Sequence, residues 1–277
     1  MLNIKNSTPI SICDIGASPI DKTEFIDDLY NNSNSKIIGF EPNLEEFNKL
    51  EKNNPRKNYY NFAIADGSEK ILNICKGVGM TSFLEPDKNY LNNFGWFDVN
   101  SEIVKKEKVE TKKLNDIEEK IDFFKIDVQG YEAEVIKYGG DKIKNSLVIQ
   151  IETSPIPLYK NEKTFAEVIG SLEKLGFSLH MFNKINTKPF KPMKLNNNIF
   201  IGINHLFQLD CVMIRKLDDI NSFNKEDLIK MILIMFYSFK SYDFVDYLIS
   251  LMDKKFGTNY IQEYREISKS LKILKKY

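Results

Sequence analysis

Short apolar runs alternate with amphipathic segments along most of the chain. Residues 9–15 form an apolar run that is typical of a buried strand, and the apolar stripe on residues 25–30 predicts a helix after it. Because a β-α-β-α-β order is typical of a parallel sheet with right-handed crossovers, we predict an α/β fold. Further strands are predicted at residues 36–40, 60–64, 121–127, 146–152, 177–182 and 210–215.

Small and polar residues mark the predicted helix starts. Gly16 follows the first strand, where a residue without a Cβ lets the backbone approach a ligand. Ser18-Pro19 fits an N-cap followed by a proline at the first helical position. Capping boxes are predicted at two later helices, Asn43 with Glu46 and Thr164 with Glu167.

Acidic residues stand at the carboxyl ends of five predicted strands. In an open α/β sheet, ligands bind beyond these ends. Coincidence explains five such acids poorly, so we expect their side chains to surround one ligand site. They are Asp14, Glu41, Asp66, Asp127 and Glu152.

The glycine pattern narrows the choice of ligand. A dinucleotide turn needs G-x-G-x-x-G so that the backbone can approach a pyrophosphate, whereas Gly16 stands alone beside Asp14. Asp14 would repel a phosphate, but it favours S-adenosylmethionine, which carries an ammonium, a sulfonium and no phosphate. Glu41 lies where ribose hydroxyls are bound in such sheets. Asp66 either contacts the adenine amino group or is the first residue of an Asp-Gly turn.

Residues 70–115 interrupt the alternation of strands and helices. We interpret them as an insertion over the cofactor pocket. Its aromatic residues either form a stacking wall for a flat acceptor such as a sugar or fill a local core. They are Tyr90, Phe94, Trp96 and Phe97.

Composition limits the functional classes. Among 277 residues, basic and acidic side chains number 39 each, so no net field favours nucleic acid or an anionic membrane. The three cysteines lack metal or redox spacing, and two histidines are too few for a multi-histidine metal site. No secretory signal is recognisable, so we expect a cytoplasmic protein. The longest apolar run, residues 231–239, is about half the length that a membrane span requires.

From about residue 221 the pattern is wholly helical. We therefore predict a sheet domain over residues 1–217 and a helical extension over residues 218–277. The apolar stripe of the extension, which includes Leu228 and Met235, needs a surface to cover it. That surface is either the chain's own sheet domain or a homodimer or partner interface.

Five motifs carry a family resemblance. They are Asp14-Ile-Gly-Ala, Gly39-Phe-Glu-Pro, Gly79-Met-Thr-Ser-Phe, Lys125-Ile-Asp-Val-Gln-Gly-Tyr-Glu132 and the strand end at Glu152. Over residues 9–216 the chain resembles FkbM-type S-adenosylmethionine-dependent methyltransferases. The resemblance implies a Rossmann-like class I methyltransferase sheet of seven strands, the last one antiparallel. It also implies O-methylation of a hydroxyl on a sugar, a glycan or a related small metabolite.

The resemblance further implies site residues. Asp127 and Glu132 fall where the family has acids beside the acceptor. Two features depart from the family: Ser18-Pro19-Ile20 stands where many members have a further glycine, and the helical extension has no counterpart. The residues predicted to hold the methyl donor are Asp14, Gly16, Ala17, Ser18, Glu41, Pro42, Ala65, Asp66, Thr81 and Ser82.

Methyl transfer to a hydroxyl is an in-line displacement, and a nearby carboxylate can accept the proton. We expect Asp127 to be this base or the anchor of the acceptor, with Lys125 and Glu132 fixing its geometry and Glu152 as the second candidate. His180 is an alternative base. A metal held by the oxygens of Asp127 and Glu152 is a further alternative, based only on two acids without a fixed spacing.

Two other classes of function stay open. The first is a non-catalytic binding module that keeps the fold and holds a partner with its helical extension. The second is a nicotinamide-dependent oxidoreductase, which the missing glycines argue against. We expect a small-molecule or glycan acceptor, no nucleic acid and no membrane span.

Overall fold

The computed structural model describes residues 8–19, 24–51 and 53–270. Ser18 and Pro19, the predicted N-cap and first helical position, lie before the helix, with Pro19 in a turn. The first helix is described from Glu24, and residues 20–23 lie outside the described residues. The described strands are β1 (Ile10–Ile15), β2 (Ser35–Phe40), β3 (Lys57–Tyr60), β4 (Ala63–Ile64), β5 (Lys70–Cys75), β6 (Ile103–Val109), β7 (Thr111–Lys112), β8 (Phe123–Ile126), β9 (Val148–Thr153), β10 (Phe177–Thr187) and β11 (Leu206–Arg215).

Helices connect these strands and continue beyond the last one. The described α-helices are α1 (Glu24–Asn32), α2 (Leu44–Phe47), α3 (Lys88–Leu91), α4 (Phe97–Asn100), α5 (Glu132–Lys144), α6 (Phe165–Lys174), α7 (Leu217–Ser222), α8 (Lys225–Tyr237), α9 (Tyr242–Phe256) and α10 (Tyr260–Ser270).

Seven strands form one sheet in the order β10-β11-β9-β8-β1-β2-β3. Neighbouring strands are parallel except that β11 runs antiparallel to both β9 and β10. The predicted seven-stranded α/β sheet with an antiparallel last strand is confirmed. The register pairs Asp14 with Lys125 and Glu152 with Asp210 across neighbouring strands.

The predicted third strand at residues 60–64 is divided. β3 ends at Tyr60 on the edge of the main sheet, and β4 leaves the sheet to pair with β7. At the break, the Asn61 side-chain nitrogen donates to the carbonyl oxygens of Glu41 and Pro42 at 2.9 and 3.1 Å. A side chain therefore satisfies acceptors just beyond the end of β2.

Only one of the two predicted capping boxes forms. Thr164 and Glu167 make the reciprocal bonds at the start of α6. At α2, the Asn43 side chain accepts from Glu45 N, but the Asn43 N–H donates to Glu41 Oε1 at 2.7 Å instead of to Glu46. The carboxyl end of β2 thus supplies the acceptor that was expected from the helix.

The inserted residues 70–115 build a small core together with Leu158, Tyr159 and Phe207. β5 and β6 pair antiparallel, and Phe94 and Phe97 are buried against Phe207. The local-core interpretation of these two aromatic residues is confirmed. Trp96 is 46% exposed and lies outside that core.

The helices of residues 217–270 cover one face of the sheet. Leu228, Met231 and Met235 of α8 belong to the same buried cluster as Ile10 and Ile12 of β1. The opposite face packs on α5 and α6 through a second cluster. The apolar stripe of the extension is therefore covered by the chain's own sheet.

A buried ion pair also joins the extension to the sheet. Lys230 Nζ lies 3.1 Å from Asp122 Oδ1, and the two side chains are 6% and 3% exposed. Asp122 Oδ2 accepts from the Ser11 N–H of β1 at 2.9 Å. Helix α8 and the central strand are thus linked through one carboxylate.

Candidate active site

A cavity of about 240 Å³ opens beyond the carboxyl ends of β1, β2 and β8. We call it the first cavity. Four carboxyl groups lie on its wall, those of Glu41, Glu46, Asp127 and Glu152, together with the ammonium of Lys184. This excess of negative charge favours a cationic ligand. Six of the residues predicted to hold the methyl donor lie on this wall: Gly16, Ser18, Glu41, Pro42, Thr81 and Ser82.

The other four residues predicted to hold the methyl donor do not line the first cavity: Asp14, Ala17, Ala65 and Asp66. Asp66 Oδ2 pairs with Lys70 Nζ at 2.9 Å, and Asp66 Oδ1 accepts from the N–H and hydroxyl of Ser68. The Lys70 and Ser68 bonds hold the pKa of Asp66 well below its usual range. The structure favours the Asp-Gly turn interpretation of Asp66 over an adenine contact.

Asp14 supports the first turn instead of lining the cavity. Its Oδ1 lies 3.1 Å from Lys125 Nζ, which also donates to the Gly16 carbonyl at 3.1 Å. Burial raises the pKa of Asp14, and the Lys125 ammonium opposes that rise. Of the two acids predicted to hold the methyl donor at β1 and β2, Glu41 lines the first cavity, whereas Asp14 holds Lys125 and Lys125 holds the turn.

The backbone at Asp127 leaves no room for a side chain at position 16. It has φ +83°, and a Cβ at this position would stand 1.8 Å from the carbonyl oxygen of Asp127. A side chain there would push the β1 turn away from the β8 end. The turn and Asp127 are thereby packed against each other directly.

Glu41 is a buried carboxyl on the cavity wall. It accepts from Asn43 N at 2.7 Å, and burial raises its pKa to about 7. Glu46, the third residue of α2, is 2% exposed, and its Oε2 has no hydrogen-bond partner among the described residues. Both groups are available to accept hydrogen bonds from a ligand in the cavity.

Asp127 and Glu152 are joined by one amide. Gln129 Nε2 donates to Asp127 Oδ1 at 2.7 Å and to Glu152 Oε2 at 2.8 Å, and Gln129 Oε1 accepts from the Tyr159 hydroxyl at 3.0 Å. Gln208 Nε2 donates a second bond to Glu152 Oε2 at 2.7 Å. The two predicted catalytic acids therefore lie side by side in a fixed orientation.

Glu132 holds the loop that carries Gln129. Its Oε1 accepts from the N–H groups of Val128 and Gly130 at 3.0 and 3.2 Å. Burial raises the pKa of Glu132 to about 8, and Glu132 does not line the first cavity. The left-handed backbone at Gln129 (φ 54°) and Gly130 (φ 93°) is thus stabilised from the start of α5.

A second cavity, of about 540 Å³, adjoins the first on the α1 side of the sheet. The two share three wall residues: Asp127, Glu152 and Lys184. Burial raises the pKa of Asp210, on the second cavity's wall, to about 6. The site therefore has two lobes with a pair of carboxylates at their junction. Further wall residues of the second cavity are Glu24, Asp28, Lys125, Gln150, Asn183 and Asp210.

His180 lies apart from both cavities. Its Nε2 is 2.7 Å from the Ser241 hydroxyl, and its ring packs on Phe244 with centroids 4.8 Å apart. Burial lowers the pKa of His180. These contacts link β10 to the helical extension and do not support His180 as the base.

Sequence reasoning missed the residues that orient the acids. Gln129 lies inside the Lys-Ile-Asp motif, two residues after Asp127, so its proximity could have been inferred. Gln208 and Tyr159 carry no local signal, because only the folding of β11 and the 154–162 loop brings them to the site. Among the described residues, no group of three or more His, Cys, Asp or Glu side chains is arranged to hold a metal ion. None of the described helices is long and apolar enough to cross a membrane.

Two solved structures resemble the fold. One is a TehB-like SAM-dependent methyltransferase from Corynebacterium glutamicum, with 10% identity, a TM-score of 0.38, and coverage of 76% of this chain and 82% of that chain. The other is LepI in complex with SAM, with 9% identity, a TM-score of 0.35, and coverage of 76% and 44%. No curated protein matches the sequence.

A family model assigns the chain. The methyltransferase FkbM domain matches residues 14–179, which is more than half of the chain. The match includes the β1 turn, the β2 end and the Asp127 motif. The chain therefore belongs to the FkbM family of methyltransferases, whose methyl donor is S-adenosylmethionine.

Proposed function

We propose that the chain transfers a methyl group from S-adenosylmethionine to a hydroxyl oxygen of a small polyhydroxylated acceptor, such as a sugar unit of a glycan. The observation that carries this proposal is the pair Asp127 and Glu152, fixed by Gln129 at the junction of two cavities. The donor occupies the first cavity and the acceptor enters the second. The carboxylates then lie at the boundary that the methyl group crosses.

The wall of the first cavity suits the charges of the donor. When bound, S-adenosylmethionine supplies an electrophilic methyl group on a sulfonium cation. Glu41 and Glu46 accept hydrogen bonds from ribose hydroxyls, and Asp127 and Glu152 offset the positive charge of the sulfonium and ammonium. Lys184 is placed to meet the donor's own carboxylate.

Asp127 accepts the proton of the attacking hydroxyl. As the oxygen–carbon bond forms and the carbon–sulfur bond breaks, the hydroxyl proton passes to the Asp127 carboxylate, leaving a methyl ether and neutral S-adenosylhomocysteine sulfur. Gln129 donates to one oxygen of Asp127, which leaves the other oxygen to face the acceptor. Lys125 Nζ lies 4.0 Å from that second oxygen, Oδ2, and helps to keep it in place.

The second cavity limits the charge of the acceptor. Its wall carries five carboxyl groups and two lysines, and one of these lysines, Lys125, is already paired with Asp14. A phosphate or sulfate group would be repelled from this wall, whereas hydroxyl and amine groups find acceptors. We infer an uncharged or amine-bearing acceptor.

The central experiment compares Asp127→Asn with Asp66→Asn. Because Asp127 is the base, Asp127→Asn should lower kcat by about 10²- to 10⁴-fold, the range of general-base catalysis. The affinity for S-adenosylmethionine, measured by calorimetry, should fall by a much smaller factor, because Glu41, Glu46 and Glu152 still lie on the wall of the first cavity. Asp66→Asn, at a carboxyl outside both cavities, should leave kcat and affinity near wild type. Unchanged turnover in Asp127→Asn would show that Asp127 is not the base.

A second experiment addresses the acceptor. Methyl transfer is assayed with neutral oligosaccharides, amino sugars and nucleotide sugars. We expect activity with the first two classes and little with the phosphate-bearing third. If only nucleotide sugars are methylated, the charge argument is wrong. If the protein binds S-adenosylmethionine but transfers methyl to no compound, the binding-module alternative is favoured.

A further inference from the structure

The segment from residue 179 to residue 206 has a composition unlike the rest of the chain. We call it the basic apolar segment. No aspartate or glutamate stands between Glu173 and Asp210, although acids and bases are equally numerous in the whole chain. Four lysines fall within a short part of the segment, namely Lys184, Lys188, Lys191 and Lys194. This segment is therefore locally basic, although the net charge of the whole protein is zero.

The same segment exposes large apolar side chains. Of the nineteen large hydrophobic residues that are exposed in the described part of the chain, nine lie in it. Phe190, Met193, Phe200, Ile201 and Ile203 are between 43% and 55% exposed. These five residues all lie in the connection between β10 and β11.

Aromatic rings and lysines lie together on this surface. The rings of Trp96 and Phe200 have centroids 5.2 Å apart, and Lys188 Nζ lies 5.6 Å from the Phe200 ring. Lys191 pairs with Asp98 at 2.7 Å beside the same rings. Protruding apolar groups with adjacent lysines are typical of surfaces that insert into the headgroup region of a bilayer.

We propose that the basic apolar segment docks the protein on an anionic lipid bilayer. Lys188 and Lys194 meet lipid phosphates, and Phe200, Ile201 and their neighbours enter the acyl boundary. The lysines and the absence of acidic residues in the segment favour an anionic surface. A bilayer with anionic headgroups also offers an apolar boundary to the exposed side chains. This proposal goes beyond the proposed methyl transfer, because it concerns where the enzyme is held and not what it methylates.

The basic apolar segment lies next to the active site. Lys184 and Asn186 of β10 and Gln208 of β11 line the first cavity, so the connection between these strands rises from the wall of the active site. Docking would hold the cavity beside the bilayer surface. An acceptor displayed there would meet the site without diffusing through solution.

Vesicle co-sedimentation of the full chain tests the proposal without any methyl acceptor. We expect binding to vesicles of equimolar phosphatidylcholine and phosphatidylglycerol, little binding to pure phosphatidylcholine, and loss of binding at high salt. Each neutralised lysine should weaken binding about fivefold, which corresponds to ~1 kcal/mol. We therefore expect Lys188→Gln/Lys194→Gln to reduce affinity by roughly 25-fold.

The apolar contribution is tested with a matched pair of variants. Phe200→Ser/Ile201→Ser should reduce binding at least about tenfold, because two apolar side chains leave the acyl boundary. Leu217→Ser/Phe256→Ser removes side chains that are 53% and 37% exposed outside the segment and should bind like wild type. Thermal unfolding confirms that each variant is folded.

Two results would overturn the proposal. One is the absence of wild-type binding to phosphatidylglycerol vesicles at low salt. The other is equal binding by the Phe200/Ile201 and Leu217/Phe256 variants. If light scattering instead shows a wild-type dimer that the Phe200/Ile201 variant lacks, with no vesicle binding, the surface joins two copies of the chain. Methyl-transfer activity plays no part in these readouts, so failure of the proposed function would not affect them.

Discussion

Gln129→Met tests whether the amide at the centre of the site orients the base. Methionine has a similar length and is unbranched, so it suits the left-handed backbone at this position better than a β-branched residue would. It removes both N–H donors, at 2.7 Å from Asp127 Oδ1 and 2.8 Å from Glu152 Oε2. The two carboxylates then lose the group that separates their charges.

The magnitude follows from the hydrogen bond to Asp127. A bond to a charged group contributes ~1.5–3 kcal/mol. If that contribution orients Asp127 in the transition state, its loss should lower kcat by about 10- to 150-fold. The affinity for S-adenosylmethionine should change less, because Glu41 and the β1 turn are untouched.

The assay is steady-state methyl transfer, with donor affinity measured by calorimetry. Gln208→Met is the matched control, because Gln208 donates to Glu152 and not to Asp127. We expect this control to lose much less activity than Gln129→Met. Equal losses would indicate that Glu152 is the carboxylate that matters. Wild-type turnover in Gln129→Met would refute the reasoning.

Three further predictions concern stability and the role of His180. Burial raises the pKa of Glu132 from 4.5 to about 8, so the native state binds more protons and the free energy of unfolding should fall as pH rises through this interval. Tm measured against pH should therefore decrease over this range, and Glu132→Gln should make the decrease smaller. A Tm that rises with pH would contradict the prediction. Lys230→Met leaves the Asp122 carboxylate buried without its cation and should cost ~3–5 kcal/mol in urea unfolding, while Asp122→Asn/Lys230→Met should recover much of that loss. His180→Gln should keep kcat near wild type and lose ~0.5–1.5 kcal/mol of stability with the Ser241 bond, so a large loss of kcat would return His180 to the candidate bases.

The fold was predictable because its signals are local. Buried parallel strands have continuous apolar runs, and their alternation with amphipathic helices restricts the topology to a few arrangements. The third strand was predicted at residues 60–64, whereas β3 covers Lys57–Tyr60 and residues 63–64 belong to β4, because the alternation of Tyr60, Phe62 and Ile64 gives no sign of the break. Only the Asn61 contacts to the β2 end show where the chain leaves the sheet.

The candidate site was predicted in outline and changed in detail. Glu41, Asp127 and Glu152 line the cavities, as their positions at strand ends suggested. Asp14 occupies an equivalent position but faces Lys125 on the neighbouring strand. A carboxylate at a strand end can meet a ligand or a neighbouring side chain, and the sequence of one strand does not distinguish the two.

By itself, the sequence determined the sheet, the edge on which the cavities open and the family, because strand patterns and the Lys-Ile-Asp motif are contiguous in the chain. Tertiary structure alone decided which acids face the cavities, that Gln129 and Gln208 orient them, and that the helical extension covers the sheet. These features depend on contacts between residues far apart in sequence, such as Gln208 with Glu152 or Lys230 with Asp122. The direction of a side chain is settled by the strand or helix packed beside it, and that neighbour is known only once the chain is folded.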